Sequence, residues 1–104
     1  MEPYEFTQQA SSDLLAIWSY IAPDNQVAAD AVADAVLDCC LLLSRFPEMG
    51  FRRPFLTQRD VRFFVVSQFP NYVIAYLPDT VPLRVVRVLW GFQNMRRLVI
   101  DSEK

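Results

Sequence analysis

The chain has 104 residues and a mass of 12.0 kDa, which is the size of one domain and leaves no room for a second. With 53% apolar and only 21% charged residues, the sequence predicts a packed globular core and excludes a disordered chain. It contains no histidine, and this excludes every catalytic triad and zinc site built on imidazole. We therefore expect a single domain over residues 1–104.

The two cysteines, Cys39 and Cys40, are chain neighbours. Two are too few for a zinc site, and adjacent residues reach disulfide geometry only with strain. The first residues lack the basic and apolar regions of an export signal, and no apolar run reaches the length of a membrane span. These features predict a soluble, cytoplasmic chain with no metal and no cofactor.

The formal net charge of −2 hides a strong division along the chain. Up to Ser44 there are seven acidic residues and no Lys or Arg, whereas ten basic and five acidic residues follow from Arg45 onward. One interpretation is that the basic half binds nucleic acid or an acidic partner, and the other is that the two halves attract each other within the fold. The sequence leaves both open.

Two helices are predicted after a short strand at Tyr4–Phe6. Thr7 is an N-cap for the first, whose apolar stripe ends before Pro23, and Asp24 and Asn25 can cap the second, which ends before Pro47. The short connection makes the two helices an antiparallel hairpin. The expected apolar stripes are Ala10, Leu14, Ile17, Trp18 and Ile21 on the first helix, and Ala28, Ala31, Val32, Ala35, Val36, Cys39, Leu42, Leu43 and Phe46 on the second.

The second helix also carries Asp30, Asp34 and Asp38 at a spacing of four residues. They share one face, where like charges cost a few tenths of a kcal/mol per pair unless cations lie opposite. The simplest interpretation is a solvated face.

Three strand-like segments rich in Val, Phe and Tyr follow an irregular stretch from Phe51 to Gln58. They cover Val61–Phe69, Tyr72–Leu77 and Leu83–Trp90, and the short connections between them favour hairpins. The predicted class is α+β, with the order β-α-α-β-β-β and an antiparallel sheet packed against the helical hairpin.

No glycine-rich phosphate loop and no spaced set of acidic metal ligands occurs in the sequence, so the candidate functional residues are arginines with aromatic neighbours. Such residues suit nucleic acid, where guanidinium groups bind phosphate and rings stack on bases, and they equally suit an acidic protein. Strict alternation along the last strand predicts that Arg84 and Arg87 point to opposite faces. The candidate partner-binding residues are Arg52, Arg53, Arg62, Arg84, Arg87, Trp90, Arg96 and Arg97.

From about residue 4 to about residue 97, the sequence resembles the RelE/ParE superfamily of type II toxin–antitoxin toxins. It is most similar to the ParE, or plasmid-stabilisation, branch. The order and spacing of several motifs carry the resemblance, namely Phe6-Thr7-x-x-Ala10-x-x-Asp13-Leu14-x-x-Ile17-Trp18-x-Tyr20-Ile21, Asn25-x-x-Ala28-Ala29, Leu43-x-x-Phe46-Pro47-x-x-Gly50-x-Arg52, Tyr72-x-Ile74-x-Tyr76 and Arg87-Val88-Leu89-Trp90-Gly91.

The resemblance implies one of two activities. RelE-type toxins cleave mRNA on the ribosome with basic side chains on the central strands, and the corresponding positions here are Phe64, Val66 and Val73. Loss of positive charge from a site that must stabilise a phosphorane costs several kcal/mol, so this chain lacks the expected catalytic set. ParE-like toxins instead bind DNA gyrase and trap its cleaved-DNA state, which requires a binding surface and no catalytic side chain.

The resemblance also implies a cognate antitoxin, whose often acidic C-terminal segment folds onto the toxin in a hetero-oligomer. The arginines named above would pair with its carboxylates. Two alternatives stay open: an mRNA nuclease with a rearranged basic set drawn from Arg62, Arg84, Arg87, Arg96 and Arg97, and a relative that binds an antitoxin without being toxic.

Overall fold

The computed structural model describes residues 2–52 and 60–91. The elements are β1 (Tyr4–Phe6), α1 (Gln8–Ile21), α2 (Gln26–Arg45), a short 3-10 helix (Pro47–Met49), β2 (Phe51–Arg52), β3 (Arg62–Val65), β4 (Tyr72–Leu77) and β5 (Leu83–Trp90). This order confirms the predicted α+β class. It adds one two-residue strand, β2, where the sequence indicated an irregular stretch.

Both helices begin where the sequence predicted. The Thr7 hydroxyl accepts a hydrogen bond from the Ala10 amide at 3.1 Å, and the Asn25 side-chain oxygen accepts one from the Ala28 amide at 3.0 Å. Each cap satisfies an amide that has no partner inside the helix, and each stabilises the helix by about 1 kcal/mol. The Asn25 cap also fixes where the short turn of the hairpin ends.

The buried face of α2 is rotated from the predicted one. Ala29 and Cys40 are fully buried, although neither was in the expected stripe, whereas Ala31, Leu42 and Phe46 are exposed. The apolar residues of α2 cover more than half of its circumference, so periodicity alone did not select the face that contacts the sheet. Within residues 2–52 and 60–91, no helix is long and apolar enough to cross a membrane.

The five strands form one sheet in the order β1-β5-β4-β3-β2. Strands β3, β4 and β5 pair antiparallel, as expected, and β2 extends the same arrangement at one edge. At the other edge β1 pairs parallel with β5, with Tyr4 opposite Leu83. The prediction of a purely antiparallel sheet was therefore wrong for this one strand.

Strand β3 is shorter than the segment Val61–Phe69 predicted from composition. After Val65 the chain turns, since the Val66 amide donates to the Tyr72 carbonyl and the Phe69 amide donates to the Val66 carbonyl, both at 3.0 Å. The apolar residues beyond Val65 thus belong to a turn that packs against the core.

A β-bulge interrupts β5, and it corrects the predicted direction of two arginines. Tyr76 pairs with Val85 but Ala75 pairs with Arg87, so Val86 is an extra residue on β5. Arg87 lies opposite Ala75, which packs on the sheet face away from the helices. Strict alternation therefore does not hold between Arg84 and Arg87: Arg84 pairs with Leu77 and Arg87 with Ala75, while the Arg87 guanidinium reaches Asp13 of α1.

The sheet is buried on both faces, and this explains the poor alternation of its strands. One cluster lies beneath the helices and comprises Ala10, Ile17, Val32, Ala35, Val36, Cys40, Leu43, Val66, Ile74, Tyr76, Leu83, Val85 and Val88. A second cluster lies on the other face and comprises Val61, Phe63, Val73, Ala75, Leu77 and Leu89. Both cysteines are free thiols, as their adjacency predicted.

Burial raises the pKa of the Cys40 thiol from its ordinary value of 9.0 to about 12. The unfolded chain therefore releases this proton near pH 9, while the folded chain retains it, so stability is fully present below pH 9 and falls as pH rises toward 12. We expect this thiol to contribute a slope of about 1.4 kcal/mol per pH unit in that window. Urea unfolding in reductant at pH 8 to 11 measures it.

The matched variant is Cys40→Ala, which is less stable than the wild type at pH 8 because it leaves a cavity. Its stability should nevertheless decline less steeply with pH, since the titrating group is gone. Equal slopes for the two proteins would contradict this account of Cys40.

Candidate partner-binding surfaces

Among the candidate arginines that the structure describes, Arg87 is the most buried, and it binds Asp13 of α1. Its Nε donates to Asp13 Oδ2 at 2.7 Å, and its Nη2 donates to Asp13 Oδ1 at 3.0 Å. Only 8% of the Arg87 side chain and 12% of the Asp13 side chain are exposed. The Val88 amide also donates to Asp13 Oδ2 at 3.0 Å, on the edge of β5 beyond the end of β1. Asp13 thus neutralises a buried cation and satisfies an edge amide of the sheet.

The other described candidate arginines are paired as well. Arg84 Nε lies 2.9 Å from Glu5 Oε2, and Arg52 Nε lies 3.3 Å from Asp60 Oδ1. These two arginines keep about half of their side-chain surface exposed, and exposed pairs of this kind contribute little to stability. Each can therefore exchange its partner for a carboxylate on another protein at low cost.

Arg62 has a mainly structural position. Its Nη1 donates to the Gly50 carbonyl at 2.8 Å, and its Nη2 donates to Glu48 Oε1 at 3.0 Å. Only 19% of this side chain is exposed. Arg62 therefore fastens the 3-10 helix and β2 to β3.

Two of these ion pairs join the acidic half of the sequence to its basic half. Glu5 and Asp13 come from the acidic half, and their partners Arg84 and Arg87 come from the basic half. The two halves do attract each other within the fold. The remaining candidate arginines, Arg53, Arg96 and Arg97, lie outside the described residues.

Trp90 ends β5 and is 45% exposed. Its ring packs edge-on against Tyr20 of α1, with ring centroids 5.4 Å apart. The pair borders an open cavity of about 240 Å³ whose floor includes Ile17, Val88 and the Asp13–Arg87 pair. Exposed aromatic rings beside an apolar cavity are typical of protein interfaces. The sequence singled out Trp90 but not Tyr20.

A second concave surface lies between β1 and the two helices, and we call it the hairpin groove. Its volume is about 380 Å³, and its lining is Tyr4, Phe6, Ser11, Leu14, Leu15, Trp18, Ala33 and Leu37. Leu15 and Leu37 lie outside the predicted core stripes. The sequence did contain a signal for this groove, namely apolar residues that lie off the main apolar stripe of an amphipathic helix.

Acidic residues lie near the hairpin groove. The pKa of Tyr4 is raised, first by burial and then by the nearby Cys40, Glu2 and Asp38. Asp30 of α2 accepts a hydrogen bond from the Trp18 indole at 2.8 Å, which places a carboxylate directly on the groove margin.

Phe64, Val66 and Val73, the positions that the resemblance assigns to the bases of RelE-type nucleases, are apolar and packed. Val66 is fully buried beneath the helices, and Val73 is fully buried on the other face of the sheet. Phe64 packs against the helix-side core. No cation occupies these three positions, and the described arginines named above are held by carboxylates.

Comparisons with known proteins agree with this geometry. Residues 4–95 match the family described as ParE toxin of type II toxin-antitoxin system, parDE. A solved structure titled "Chromosomal ParDE TA system from P. aeruginosa" is similar, with a TM-score of 0.69 and 16% identity, covering 85% of this chain and 94% of that chain. At this identity the likeness concerns the fold alone. A search of curated proteins found no match. Since the family match spans most of the sequence, the chain belongs to the ParE family of toxins of type II toxin–antitoxin systems.

Proposed function

We propose that this chain poisons DNA gyrase in the cytoplasm by binding it and stabilising its cleaved-DNA state, and that a cognate antitoxin neutralises it by direct binding in a hetero-oligomer. The proposed action needs a surface and no catalytic side chain, metal or cofactor. The proposed action is that of the ParE branch of the superfamily and not that of the RelE branch.

The observation that carries the proposal is the chemistry of the central strands. Phe64, Val66 and Val73 fill the positions where an RNA-cleaving relative needs cations, and two of the three are fully buried. An apolar site in that place offers no stabilisation to the charge of a phosphorane. This chemistry favours a toxin that acts through binding.

The exposed residues among the candidates are proposed to contact a partner. Arg52 and Arg84 keep about half of their side-chain surface exposed, and Trp90 forms an exposed aromatic pair with Tyr20. Arg62 and Arg87 are proposed to act indirectly, by holding Glu48 and Asp13 in place. On sequence grounds the proposal also includes Arg53, Arg96 and Arg97.

The experiment is a gyrase supercoiling and cleavage assay with the purified chain. We expect loss of supercoiling and accumulation of cleaved DNA, and we expect Trp90→Ala to weaken both effects at least tenfold because aromatic anchors dominate interfaces. Val81→Ala is the matched control, since Val81 is 87% exposed and lies outside both concave surfaces.

Two results would contradict the proposal. One is growth arrest in cells while gyrase is unaffected and mRNA is cut on translating ribosomes, which would assign the chain a nuclease activity. The other is the absence of any growth phenotype, which would leave antitoxin binding as its only role.

A further inference from the structure

The end of α2 and the 3-10 helix after it carry an exposed apolar surface, which we call the α2 patch. Its members are 40% to 55% exposed, and they are four of the ten large apolar residues exposed in the part of the chain that the structure describes, namely Leu41, Leu42, Phe46 and Met49. None of the four lines the cavity beside Trp90 or the hairpin groove. Exposed apolar residues scattered singly are ordinary, but a contiguous patch of them marks an interaction site.

An acidic and a basic side chain flank the centre of the α2 patch. Asp38 lies three residues before Leu41, and Arg45 lies three residues after Leu42. Both side chains are exposed, and among the described residues neither forms an ion pair. They do not pair with each other, because seven residues separate them by about 10 Å along the helix. Each charge is therefore available to a partner.

The spacing of these residues makes the surface complementary to itself. Asp38 and Arg45 lie on the same side of α2, since seven residues make about two helical turns. When two α2 helices pack antiparallel about a twofold axis between Leu41 and Leu42, Asp38 of each copy lies opposite Arg45 of the other. The four leucines then meet at the centre, and one ion pair lies on each side of them. A parallel arrangement would instead place like charges opposite each other, which is unfavourable.

We propose that two copies of this chain form a homodimer through antiparallel packing of their α2 helices, with Leu41 and Leu42 at the centre and with Asp38 of each copy paired to Arg45 of the other. The net charge of −2 opposes this association only weakly. Because the contact covers only half of a helix, we expect a reversible dimer with a dissociation constant of about 10–100 μM. The inference concerns the chain by itself and is independent of its target and its antitoxin.

Analytical ultracentrifugation of the purified chain over a range of concentrations tests the apolar centre. We expect the wild type to shift from monomer to dimer, and Leu41→Ser to raise the dissociation constant at least tenfold, because each dimer contains this leucine twice. Val27→Ser is the matched control, since Val27 is 80% exposed on the same helix but lies outside the α2 patch. Circular dichroism verifies that these substitutions of exposed residues leave the fold intact.

A charge exchange tests the register of the two helices. Asp38→Arg alone and Arg45→Glu alone should each weaken the dimer at least tenfold, because each places like charges opposite one another. An equimolar mixture of these two single variants should recover association, since both ion pairs form again in the mixed dimer. Asp24→Arg mixed with Arg45→Glu is the matched control and should not recover it, because Asp24 lies in the turn between the helices.

The outcomes decide between this contact and others. Recovery of association in the first mixture and not in the second would support the proposed register. A wild-type chain that stays monomeric up to about 500 μM would overturn the inference, since the expected dimer predominates at that concentration. A dimer that Leu41→Ser leaves unchanged, or single charge variants that stay monomeric when mixed, would overturn it as well. Gyrase poisoning is assayed separately, so none of these results decides the proposed function.

Discussion

Replacement of Asp13 by alanine is expected to lower the free energy of unfolding by about 3–5 kcal/mol, measured by urea denaturation. Asp13 accepts three hydrogen bonds, two from Arg87 and one from the Val88 amide. Its removal leaves a guanidinium that is only 8% exposed without its charge partner, and it leaves an amide of β5 without an acceptor. Because both losses occur at the contact between α1 and β5, the helix should detach from the sheet more readily.

The double variant Asp13→Ala with Arg87→Met tests whether the loss of stability comes from breaking the ion pair or from the altered packing at the site. Removing both charges avoids a buried guanidinium that has lost its carboxylate, so the double variant should recover part of the stability lost by Asp13→Ala. Asp24→Ala is the surface control and should change stability by no more than about 0.5 kcal/mol. A loss below about 1 kcal/mol for Asp13→Ala would show that the pair has no such role.

Gly50→Ala is expected to cost about 3 kcal/mol, because no space exists for the added methyl group. A Cβ at this position would overlap the Tyr76 hydroxyl and would lie 2.8 Å from Tyr76 Cε1 and 2.9 Å from the Phe63 carbonyl oxygen. The same hydroxyl accepts from the Gly50 amide at 2.9 Å and donates to the Pro47 carbonyl at 2.7 Å. The substitution thus disrupts a buried hydrogen-bond relay that joins the end of α2 to the sheet.

A double-mutant cycle with Tyr76→Phe isolates this contact by thermal or urea unfolding. Tyr76→Phe alone should cost about 1–3 kcal/mol, since it leaves buried polar groups unpaired. Gly50→Ala should then cost less in the Tyr76→Phe background than in the wild type, because part of the overlap has been removed. Strict additivity of the two effects would contradict the proposed crowding.

The helices were predictable because local chemistry sets their ends. Thr7 and Asn25 each cap a helix with their own side chains, so sequence neighbours hold the necessary information. The face of α2 was less predictable, since Ala29 and Cys40 differ from Ala31 and Leu42 only through contacts with a distant sheet. The bulge at Val86 likewise depends on the register between β4 and β5, which no periodicity reveals.

The candidate arginines were identifiable from the sequence, but their partners were not. Arg87 and Asp13 are 74 residues apart, and Arg84 and Glu5 are 79 residues apart. Such pairs depend on the parallel addition of β1 to β5, and the sequence gives no local sign of that pairing. Sequence reasoning missed Tyr20 for a similar reason: Tyr20 becomes a candidate only because the contact between α1 and β5 brings its ring against that of Trp90.

The placement of β1 beside β5 has a consequence during synthesis. Strand β1 must wait for β5, which is synthesised later, since Tyr4 pairs with Leu83. At about 5–20 residues per second, that wait lasts roughly 4–16 s. The Asp13–Arg87 pair and the cavity beside Trp90 need the same late strand. A nascent chain therefore lacks the proposed poisoning surface until β5 has been synthesised, and this interval is available to an antitoxin already present in the cell.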